Sequence, residues 1–71
     1  MKRITKMDKI LDLVTELNRQ RILQNKPTVT REWTGAGHWL KPADSYSSIG
    51  GIFTNDDEFI GFLEGLVYIE N

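Results

Sequence analysis

The residues that invite chemistry sit in one run, Arg31-Glu32-Trp33-Thr34-Gly35-Ala36-Gly37-His38-Trp39-Leu40. Two indole rings flank a turn containing two glycines. A guanidinium lies two residues before the first ring, and the only imidazole in the chain adjoins the second. Aromatic faces stack planar bases, while Arg and backbone N–H groups hold phosphate. Stacking is worth about 1–3 kcal/mol per base, so Trp33 and Trp39 together can carry an affinity. Both rings serve equally well as anchors of a small core. On this reading the candidate ligand-binding residues are Arg31, Trp33, Gly35, Gly37, His38 and Trp39, and the activity expected is binding without turnover.

Catalysis finds little support in the residue inventory. Nucleophilic or acid–base chemistry needs a nucleophile, a base and an orienting group in mutual reach, and His38 is the sole imidazole. A hairpin-packing or solvent-facing histidine is its ordinary role. Ser45, Ser47 and Ser48 lie in a loop-like setting without a nucleophile elbow. Asp56, Asp57 and Glu58 resemble a carboxylate cluster, but three acids in a first helical turn are explained by the helix dipole. Gly50-Gly51 lacks the Lys and Ser/Thr of a phosphate loop. No catalytic residue, metal ligand or cofactor is expected.

Seventy-one residues make one domain, 1–71, with a small core and marginal stability. Without cysteine, neither a disulfide nor a thiolate metal site can staple it. Self-association is the favoured remedy, because so short a chain has few ways to hide all its aromatics. No apolar run approaches the roughly 20 residues of a membrane span, and none follows the basic start as in a signal peptide. A cytoplasmic protein is expected. The net charge of −1 conceals an asymmetry: residues 1–41 hold all nine bases and four acids, residues 42–71 six acids and no base. The simplest account is that the two halves are neighbours in the fold and neutralise each other; a nucleic-acid partner or a charge-matched self-contact are the alternatives.

The elements that must position the run are legible from periodicity. Met7, Ile10, Leu11, Val14 and Leu17, widened by Leu13, recur at helical spacing over residues 5–24. Thr5 and Asp8 form a capping-box pair, and Pro27 closes the segment. Thr28 to Trp33 alternates and is rich in β-branched residues, which predicts a strand with Val29, Arg31 and Trp33 on one face. Gly35 and Gly37 can both take positive φ, and His38 to Lys41 returns as a second strand. Pro42 to Ser48 is loop-like. Ile49 to Phe53 reads as a third strand bent at its glycines, with one turn of helix started by Ser47 or Ser48 as the alternative. Asn55 caps a helix whose buried side is Phe59, Ile60, Phe62 and Leu63, with Gly65 at its end. Leu66-Val67-Tyr68-Ile69 then predicts a last strand. The fold class is α+β: a small antiparallel sheet with both helices on one face.

At Val29, Arg31 and Trp33-Thr34-Gly35-Ala36-Gly37-His38-Trp39-Leu40 the chain resembles the Val…Arg…Trp-Asn-Gly-Lys-Gly-x-aromatic-Leu segment of small phage proteins, the second described family of Thoeris anti-defence sponge proteins. The resemblance covers about a dozen residues. It implies a homo-oligomer that sequesters a nucleotide-derived immune signal of the cyclic ADP-ribose type without cleaving it. The matched positions are Arg31, Trp33, Gly35, Gly37 and Trp39. Thr34 and Ala36 replace the family's Asn and Lys, Arg31 stands one residue closer to Trp33, and the middle of the chain is shorter. Two other readings compete. An acidic face over residues 44–64 can mimic nucleic acid against a basic host enzyme, making the chain a protein inhibitor. A loosely winged-helix-like order of elements suggests single-stranded nucleic-acid binding, though the acidic helices repel phosphate.

Overall fold

Thr5 opens the first helix, α1 (Lys6–Leu23), through a complete capping box. Its hydroxyl accepts from the Asp8 backbone N–H, and the Asp8 carboxylate accepts from the Thr5 N–H. The helix closes at Asn25, which adopts a left-handed φ of 58° while the Lys26 N–H bonds back to the Arg21 carbonyl. The Arg19 guanidinium beside Glu16 holds that carboxyl below the usual carboxylate range. The computed structural model describes residues 4–70.

Three strands follow: β1 (Val29–Thr34), β2 (Gly37–Pro42) and β3 (Ile49–Phe53), then one helix, α2 (Asp56–Glu70). The sheet is antiparallel in the order β1-β2-β3. Thr34 pairs with Gly37 across a two-residue turn, which sets Trp33 opposite His38 and Glu32 opposite Trp39. Only Gly37 in this turn takes a positive φ, at 151°, and a Cβ there would lie 2.4 Å from the Phe53 carbonyl oxygen. β3 bulges at Gly50 and Gly51, both at positive φ, as the glycine-bent strand predicts. A Cβ on Gly50 would strike the Phe62 ring at 2.4 Å.

Both helices lie on one face of the sheet. Ile10, Val14 and Leu17 of α1, Val29 and Leu40 of the sheet, and Phe59, Ile60, Leu63 and Val67 of α2 form a single core. Two expectations are corrected. By spacing Met7 and Leu11 belong to the apolar stripe of α1, yet they are 38% and 49% exposed; the buried stripe is centred on Ile10 and Leu17, and these two sit on its flank. Leu66 to Ile69 is not a strand, and Gly65 is not a helix end: α2 continues through both. Leu66 and Val67 extend the face begun by Phe59, Ile60 and Leu63, and burying them outweighs the roughly 0.5–1 kcal/mol cost of a mid-helix glycine. No helix among the described residues is long and apolar enough to cross a membrane.

Candidate functional site

The turn divides the aromatic run between two faces. With Trp33 opposite His38, alternation puts Arg31, Trp33, His38 and Leu40 on the helix side. Trp39 and Lys41 fall on the other side, beside Glu32 and Thr30. The six candidate residues therefore do not form one site. Gly35 sits in the exposed turn and Gly37 is buried against β3.

On the helix side, His38 is interior, 2% exposed. Its ring stacks on Phe59 at 5.0 Å, nearly parallel, and meets the edge of Trp33 at 4.9 Å. Arg31 Nε donates to Nδ1 at 3.1 Å, so Nε2 carries the proton and donates to Asp56 Oδ1 at 2.5 Å. Both ring nitrogens are thus engaged and neither is offered to a ligand. The chain Arg31–His38–Asp56 ties β1, β2 and the first turn of α2 together. Asn55 caps that turn, its Oδ1 accepting from the N–H groups of Asp57 and Glu58. Trp33 closes the seam from outside; it is 58% exposed, with the Arg31 guanidinium 5.8 Å from its ring centre.

Among the described residues no helix covers the outer face. A cleft of about 250 Å³ opens there, lined by Thr34, Trp39, Tyr46, Ser48 and Ile52. Tyr46 is 91% exposed and stands free at the rim, with Lys41 Nζ 5.0 Å over its ring. The Trp39 indole N–H is shielded from water and has no acceptor among the described residues. A buried unpaired donor costs about 1–3 kcal/mol. Of this cleft, sequence reasoning named Trp39 alone. Thr34 and Lys41 were available from strand alternation with Trp39. Tyr46 and Ser48 lie in an irregular loop whose path no periodicity reports.

Electrostatically, bases of the first half meet acids of the second: Lys6 with Asp57 at 3.2 Å, Lys9 with Glu64 at 4.0 Å. Exposed pairs of this kind are worth about 0–1 kcal/mol each, but they place the oppositely charged halves side by side. Among the described residues no three His, Asp or Glu side chains converge on a metal position. No known family model, curated protein or solved structure matches the chain.

Proposed function

We propose that the chain is a non-enzymatic binding protein that holds a flat, anionic, nucleotide-like ligand on the open face of its sheet. The observation that carries this reading is the open aromatic cleft around Trp39 on the sheet face. Trp39 and Tyr46 supply stacking surfaces, Thr34 and Ser48 supply hydroxyls, and Lys41 supplies the charge for a phosphate. The cleft is smaller than the roughly 300–1,000 Å³ of most ligand pockets. It suits one ring system with its substituents, and a larger ligand needs a second copy to complete the site. Sequestration of a nucleotide-derived signal by an oligomer of phage or mobile-element origin, as the sequence resemblance implies, is the biological role that fits such a site.

The test is thermal unfolding against a panel of linear and cyclic adenine nucleotides. A ligand at about 100 times its Kd stabilises by about 2.7 kcal/mol. The shift should vanish in Trp39→Ala and persist in Trp33→Ala. A panel that shifts nothing, or a shift that depends on Trp33 and not on Trp39, removes the proposal.

A further inference from the structure

The two edges of the sheet differ, and the difference points to a second binding surface independent of the cleft. In an antiparallel ladder, alternate residues direct their backbone groups to the same neighbour. The Thr28 carbonyl accepts from the Ala43 N–H on the β2 side at 2.8 Å. Val29 faces the other way: its N–H donates to Asn18 Oδ1 at 2.7 Å and its carbonyl accepts from Asn18 Nδ2 at 2.8 Å. Thr30, Glu32 and Thr34 therefore bond to β2, while Arg31 and Trp33 point their N–H and C=O groups outward. Those groups have no partner among the described residues. Asn18 already does for Val29 what the backbone of an added strand would do, and the ladder stops there. The opposite edge is unsuited to such pairing, because β3 is bulged at two positive-φ glycines.

A shoulder accompanies the free edge. Met7, Leu11 and Asn18 fall within one narrow stripe of α1 at 100° per residue, and Asn18 turns that stripe toward β1. The start of α1 lies beside the start of α2 through Lys6 and Asp57, and Asp56 touches His38, the cross-strand partner of Trp33. The stripe thus runs beside the edge from Val29 toward Trp33, and Met7 and Leu11 are its exposed apolar members.

We propose that this edge takes an extended peptide from another protein as a fourth strand, one that presents a carboxylate to Arg31 and an apolar side chain to Trp33, Met7 and Leu11. Arg31 commits only Nε, to His38, and has no carboxylate partner among the described residues. Its terminal nitrogens suit a carboxylate. A second copy of β1 fits less well. Two-fold pairing through the free groups that leaves Val29 with Asn18 sets either Glu32 against Glu32 or Trp33 against Trp33. The single acid of β1, Glu32, faces the outer surface, so self-pairing gives Arg31 no counter-charge. Backbone bonds supply the affinity in this mode and alternate side chains the specificity.

The test is residue-resolved amide exchange with a capped nonapeptide alternating threonine and valine around a central glutamate. In the free protein the amides of Arg31 and Trp33 should exchange fast and those of Thr30 and Glu32 slowly. The peptide should slow Arg31 and Trp33, and replacing its glutamate with lysine should weaken binding by about tenfold or more. Trp33→Pro removes an outward N–H that the sheet does not use, so it should keep the fold and lose the peptide, whereas Trp33→Leu should retain it. Slow exchange at Arg31 and Trp33 in the dilute free protein overturns the proposal. So does binding that leaves them unprotected, or no protection at millimolar peptide. Protection that rises with protein concentration alone assigns the edge to a second copy and overturns it equally.

Discussion

Trp33 and Trp39 stand six residues apart on one hairpin and occupy different worlds. Trp33 lies on the helix side, over a histidine whose hydrogen bonds and stacking are complete. Trp39 lies on the bare side, lining a cleft with a donor unmet. The helix-side face is finished by its own fold, and the outer face is left open. Among the described residues two helices cover one side of the three strands and no third lies on the other. A sheet covered on one face only is ordinary for antiparallel strands when the open face is polar. Here Trp39, Tyr46 and Ile52 make it partly apolar, and an apolar patch rimmed by polar groups marks a contact site.

The contrast can be broken from the packed side first. Phe59→Ala removes a fully buried ring that touches His38, Phe53 and Phe62. It should cost about 3–5 kcal/mol, enough to leave much of so small a domain unfolded, as urea titration would reveal. His38→Ala should cost roughly 2–4 kcal/mol, through lost volume and the two broken hydrogen bonds. A loss below about 1 kcal/mol, in urea melts of the variant, would show that the Arg31–His38–Asp56 seam is not structural.

Gly37→Ala probes the turn that separates the two faces. Its Cβ would meet the Phe53 carbonyl at a φ that L-residues avoid, so a loss of about 1–3 kcal/mol is expected, together with disturbed amide shifts in β3. The smallest effect belongs to the open side. Ile52→Ser, at a side chain 53% exposed, should change stability by no more than about 1 kcal/mol while weakening any nucleotide-dependent gain in melting temperature. If Ile52→Ser instead destabilised the fold as much as His38→Ala, the outer face would have to be counted as core.

Local physics was enough to place most of the elements. The Thr5–Asp8 capping box, the Asn55 cap with its three acids, and the alternation of Thr28 to Trp33 each depend on neighbours in the chain, so they can be read without a fold. The hairpin was legible too, but not its register: Gly35-Ala36-Gly37 admits more than one turn, and only the observed pairing of Thr34 with Gly37 separates Trp33 from Trp39 in what reads as one site. Tertiary contact decided the rest. Leu66 to Ile69 suits strand or helix equally, and only the neighbouring core, reached through Val67, made it helix. Nothing local marks His38 as interior, because its partners Asp56 and Phe59 lie 18 and 21 positions away. The cleft joins Trp39 to a loop residue, Tyr46, that no period positions. Short-range preferences chose the pieces. Which residues became core and which became surface depended on contacts between pieces far apart in the chain, and those exist only once the sheet has a covered side and a bare one.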